Sequence, residues 1–125
     1  MNSPLIPVSW GELLDKIAIL TIKVERLRGF EARANAAREL GLLQAAAGGA
    51  RGVPELEAAL LAVNIRLWRI EDLIRERDAA GDFGPSFVAL ARAVYRENDE
   101  RGRIKAAINR VLDSALVEEK QYAGY

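Results

Sequence analysis

Apolar side chains recur along this chain at alternating steps of three and four, the spacing of one helix face. Leu13, Ile17, Leu20, Val24 and Leu27 form the first stripe, widened by Leu14 and Ile19. Ala36, Leu40, Leu43 and Ala47 form a weaker second one. Leu56, Leu60, Val63, Leu67, Ile70 and Ile74 form the third. The fourth starts with Phe87, Leu90, Ala91 and Val94 and resumes with Ile104, Ile108, Val111 and Leu112. The stripes predict helices over about 10–28, 31–47, 54–79 and 85–114.

Punctuation between the stripes agrees. Pro4 and Pro7 keep residues 1–8 extended. Ser9 with Glu12 three residues on reads as a capping box, with Val8 and Leu13 placed for a hydrophobic staple. Gly29 suits a left-handed cap closing the first helix, and one long kinked helix through it is the alternative. The run 48–53, GGARGV, is a loop, and Pro54 and Pro85 each suit a first helical turn. Gly81, Asp82, Phe83 and Gly84 form a tight turn that lays the third and fourth helices antiparallel. The expected fold is all-α, an antiparallel bundle of four helices or two helical hairpins, in a single domain of 125 residues. Residues 115–125 read as a solvated tail continuing the fourth helix by a turn or two. Leu116, Val117, Tyr122 and Tyr125 leave a fold-back onto the bundle open.

One interruption stands out. Between its two halves the fourth stripe passes through Asn98 and Arg101, within the run YRENDERGRIK at 95–105. Pairing residues across the 81–84 turn sets Glu71 level with Val94 and Tyr95, Trp68 with Glu97 and Asn98, and Asn64 with Arg101. Two stretches thus bring polar groups to one level. The simpler reading is structural: Arg92 with Glu71 or Asp72, and Asn64 with Arg101, fix helix register. The functional reading is a cleft in which Arg92 and Arg101 hold an anionic metabolite. Glu71, Asn98 and Asp99 would orient it, with Trp68 and Tyr95 as walls. Glu71, Asp72 and Asp99 lack the paired acidic motifs of a metal site, so no metal is assigned. Lys16 and Lys23, two turns apart, either complete an anion site or snorkel from the bundle edge. Asn35 and Glu39 read as a local pair, and Trp10 as a packing anchor.

Composition narrows the chemistry. With 18 basic and 18 acidic residues the formal charge is zero, so there is no basic footprint for nucleic acid. There is no Cys and no His, which removes disulfides, ordinary zinc sites and Ser–His or Cys–His catalysis. Fourteen of the bases are Arg, which favours planar interhelical ion pairs. No cofactor is implied. Nothing in the first residues resembles a signal peptide, and the apolar run 17–20 is far too short to span a membrane. A soluble, cytoplasmic protein is the default expectation.

The segments VSWGELLDKIAIL (8–20), ARANAAREL (32–40), VNIRLWRIEDLIR (63–75), VYRENDERGRIKAAIN (94–109) and LVEEKQY (116–122) resemble a family of short bacterial proteins of unknown function. The resemblance covers nearly the whole chain. It implies an association with neighbourhoods of cell-surface polysaccharide and glycosyltransferase genes, and supplies no catalytic residues. RLWRIEDLIRER also has the look of the first helix of helical chorismate mutases, but the downstream pattern of those enzymes is missing. The paired acidic motifs of helical nucleotide pyrophosphohydrolases are missing too.

Two functional classes follow. The first is a binding or adaptor module serving a protein partner in surface-glycan assembly. The second is a small-ligand protein or enzyme acting on a phosphorylated or carboxylated metabolite at the polar level of the third and fourth helices. Those two helices outreach the first two, at about 40 Å each for 1.5 Å per residue. Leu56, Leu60, Ile108 and Leu112 should then be partly uncovered, and a homodimer is expected to cover them.

Overall fold

The computed structural model describes residues 2–49 and 51–123. It holds four helices: α1 Trp10–Arg26, α2 Phe30–Ala47, α3 Pro54–Ala79 and α4 Pro85–Val111. The fold is all-α. α1 and α2 form one hairpin and α3 and α4 another, and α1 lies against both α3 and α4. Among the described residues α2 packs on α1 and on neither α3 nor α4. α1 is therefore the central helix.

That position explains why its buried row differs from the expected seam. Gly11, Leu14, Asp15, Ala18, Leu20 and Ile22 are buried on α1, while Leu13 and Ile17 pack at the edge of the core. A helix with neighbours on several sides buries more than one stripe. The core joins Leu14 and Ala18 to Leu60, Val63, Ile104 and Ile108, closed by Ala47 at the end of α2 and Val53 of the α2–α3 loop. Leu60 and Ile108 are fully buried within one chain, which corrects the expectation that they lie partly uncovered. α1 supplies the cover at Leu60 and Ile108, while Leu56 and Leu112 are partly exposed, as expected.

The helix ends have distinct causes. Leu27 turns extended at φ −62° and ψ 141°, so α1 and α2 are separate helices rather than one kinked rod. Gly29, at φ 90°, stands as the residue before α2 instead of closing α1. α3 ends on Gly81 at φ 69°, with Asp82 N–H donating to the Arg77 carbonyl at 2.9 Å, a Schellman closure. α4 ends the same way on Asp113 at φ 50°, where Ser114 N–H donates to the Asn109 carbonyl at 2.8 Å. An Asp doing a glycine's work gives no glycine signal, and α4 stops at Val111, short of the expected 114.

Beyond Asp113 the chain does not extend α4. It turns back along it: Glu118 lies at Lys105, Lys120 against Gly102, and Tyr122 lines a cavity with Val94 and Tyr95. Tyr125, the other tyrosine of the tail, lies outside the described residues.

Candidate functional site

The site is built from the first turn of α1. A helix start leaves backbone N–H groups without partners. Here Glu12 N–H donates to Ser9 Oγ at 3.1 Å, Gly11 N–H to Asn109 Oδ1 at 2.7 Å, and Trp10 N–H to Ser114 Oγ at 3.2 Å. Two of the three caps come from the far end of α4 and the turn just after it. Only half of the expected capping box forms, because the Glu12 carboxylate goes to Lys105 at 2.8 Å. Gly11 lets α4 approach: a Cβ there would meet the Lys105 carbonyl oxygen at 2.5 Å.

One turn on, α1 presents Asp15, whose side chain is 3% exposed. Asn64 of α3 donates to its Oδ1 at 2.9 Å. From α4, Arg101 Nε lies 3.8 Å and Lys105 Nζ 4.0 Å from its Oδ2. Lys105 Nζ also reaches Glu118 at 3.0 Å, and Glu118 in turn takes Lys120 at 3.1 Å. One polar network thus links α1, α3, α4 and the returning tail, with Asp15 and Lys105 at its buried centre.

Charge follows from that geometry. Burial pushes the Lys105 ammonium down, but the hydrogen bonds to Glu12 and Glu118, with the Glu12 and Asp15 charges, hold it above its ordinary 10.5. An amine so held is cationic at neutral pH and is neither nucleophile nor base. The bond from Lys105 lowers the Glu118 carboxyl below its ordinary 4.5, with Lys120 helping. The Tyr95 hydroxyl is lowered too, chiefly by its bond to Arg92.

The two shifts give a pH window. The Glu118 contribution is complete above pH 4.5 and fades as pH falls through its lowered value. The Lys105 contribution is complete below 10.5 and fades only as pH rises through its raised value. Glu118 is 38% exposed, so solvent screening keeps its share small, under about 1 kcal/mol. Acid should therefore loosen the tail before it unfolds the helices. Amide resonances of residues 118–122 should move below pH 4.5 while helical circular dichroism holds. Coincident loss of both would show that the tail has no separate latch.

On one side of this centre α1, α3 and α4 open a cleft of about 440 Å³. Asn64, Trp68, Glu71, Asn98 and Arg101 line it, as the sequence brings them to one level, together with Ile19, Ile22, Lys23, Asp72 and Arg75. Tyr95 and Asp99 lie elsewhere, with Asn98 and Tyr122, in a cavity between α4 and the tail. Arg92 joins neither: it is exposed and bonds Tyr95 rather than Glu71 or Asp72. Glu71 takes Arg75 one turn along its own helix, at 2.7 Å. The expected Asn64–Arg101 contact forms, at 3.4 Å. Asn35 pairs with Arg38 instead of Glu39. Lys16 and Lys23 both border a small cavity with Glu39, and only Lys23 also lines the larger cleft.

The residues that tie the network together, Glu12, Asp15, Lys105 and Asn109, escape the stripe pattern. A weak signal exists, since Gly11, Asp15, Ala18 and Ile22 share one face of α1. Among the described residues no three Asp or Glu side chains stand close enough to hold a metal ion. No helix there is long and apolar enough to cross a membrane.

Fold and centre define an all-helical protein of two hairpins locked by a buried ion-pair network. The chain belongs to the family of unknown function DUF6165, whose model matches residues 5–125. No curated protein and no solved structure matches it.

Proposed function

We propose that this is a small binding protein that takes an anionic, ring-bearing metabolite in the α1/α3/α4 cleft and serves cell-surface glycan assembly. The glycan setting is supported by the family resemblance, and the ligand class by the cleft. The observation that carries the latter is the state of Arg101. Its two contacts, to Asn64 at 3.4 Å and Asp15 at 3.8 Å, are both long, and its side chain is 27% exposed at the cleft. A guanidinium has five donors in a fixed fork, so most remain for a phosphate or carboxylate. Lys23 stands on the same cleft, and Ile19, Ile22, Leu67 and Trp68 offer apolar wall for a ring.

The test is thermal shift with sugar phosphates, nucleotide sugars and dicarboxylates. A ligand at about 100 times its Kd adds about 2.7 kcal/mol, several degrees for a domain this size. Lys23→Met should abolish most of that rise and leave the unliganded Tm within about 2 °C, because among the described residues Lys23 makes no ion pair. Flat melting curves across all three classes would overturn the reading.

An adaptor function has its own support. Trp10 N–H donates to Ser114 Oγ and so ties the lead-in to the tail, and the segments on either side of that bond expose Leu5, Ile6, Val8, Val111, Leu116 and Val117. Exposed apolar side chains of this kind suit a protein partner.

A further inference from the structure

After Asp113 the returning segment turns alternate side chains toward α4: Glu118 at Lys105, Lys120 at Gly102, and Tyr122 on a cavity it shares with Val94 and Asp99. That is the period of an extended peptide lying in a groove. Among the described residues its last backbone–backbone hydrogen bond is Ser114 N–H to the Asn109 carbonyl. Residues 115–123 are thus held by side chains alone. The main seat is chemically narrow, since Lys105 Nζ, on a side chain 7% exposed, donates to a carboxylate from one side while Glu12 and Asp15 hold it from the other. The docked segment also leaves Leu116 44% and Val117 56% exposed, and Val111 in the last turn of α4 is 61% exposed.

We infer that this groove is an interaction surface for a second copy of the chain, which inserts its own residues 115–123 so that its Glu118 seats on Lys105. A second copy is the one partner certain to carry the matching chemistry. Exchange costs little because each copy regains the contacts it gives up. It also lets Leu116 and Val117 of the two crossing segments pack on each other, burying apolar area that the single chain leaves in water. The intramolecular seat enjoys an effective concentration of roughly millimolar for so short a connection. Exchange is therefore expected at high protein concentration, and closure within one chain in dilute solution. This inference is independent of what the cleft binds.

The chain has no cysteine, which makes trapping simple. A Cβ on Gly102 would meet nothing nearer than 3.7 Å, and that atom is the flexible end of Lys120, so Gly102→Cys fits the fold. The full-length double variant Gly102→Cys with Lys120→Cys, cross-linked in dilute solution with a short bismaleimide, should close within one chain and run as a monomer. Single variants Gly102→Cys and Lys120→Cys, incubated together near millimolar concentration and then cross-linked, should give a covalent heterodimer identified by mass. Adding Glu118→Gln to the Lys120→Cys chain should cut that yield several-fold. The inference is overturned if the mixture gives no more heterodimer than the Glu118→Gln control. It is equally overturned if the double variant fails to close within one chain, since the segment would then not occupy the groove.

Discussion

Lys105→Met should lower the stability of the fold by about 3–5 kcal/mol, the usual cost of removing one partner from a buried ion pair. The substitution preserves length and apolar volume, so the loss is electrostatic. Asp15, 3% exposed, would keep only Asn64 at 2.9 Å and the distant Arg101 at 3.8 Å. Glu12 and Glu118 would lose contacts of 2.8 and 3.0 Å. At a few degrees per kcal/mol the melting temperature should drop by more than about 10 °C. A second change separates charge from shape. Asp15→Asn in the Lys105→Met background removes the stranded charge and still accepts from Asn64, so it should recover about half of the loss. A drop below about 1 kcal/mol for Lys105→Met alone would mean that water reaches this centre and the network is not buried.

Gly11→Ala should be nearly as damaging, although it adds one methyl group to a helix where alanine is the better helix former. The new Cβ would sit 2.5 Å from the Lys105 carbonyl oxygen and 3.0 Å from Asn109 Oδ1. The first is backbone inside α4 and cannot swing aside. Overpacking costs about 1–3 kcal/mol, and pushing α4 away also breaks the buried Gly11–Asn109 bond, worth about 1–3 more. Roughly 3 kcal/mol in a denaturant melt is expected. Gly41→Ala is the control, since a Cβ at Gly41 meets nothing within 4 Å and should be neutral or stabilising. Equal effects at both positions would refute close approach as the cause.

Legibility in the sequence varied with how local the signal was. Pro54 and Pro85 start α3 and α4 where expected, and Gly81 closes α3. Ser9 caps α1. Asp113 closes α4 by the same geometry as Gly81, but its side chain gives little sign of a left-handed residue, so the stripe pattern carries α4 past its true end. Asn64, Trp68, Glu71, Asn98 and Arg101 reach one cleft because a short turn fixes which levels of α3 and α4 face each other. Arg92, Tyr95 and Asp99 share those levels but sit on other sides of α4, where level is no guide.

The sequence by itself determined the four helices, the antiparallel pairing of α3 with α4, and the polar level they share. Each follows from side-chain period, proline and glycine placement, and turn length, all within a few dozen residues of each other. Only the tertiary structure decided that α1 is the central helix and that α2 touches α1 alone. Only it brought Glu12 and Asp15 to Lys105, and folded the segment after Asp113 back so that Glu118 completes the centre. The Glu12 and Asp15 contacts join residues some ninety positions apart. What selects them is that a buried ammonium and a buried carboxylate must find each other once the apolar faces close. That constraint acts on the assembled molecule and leaves no period in the chain.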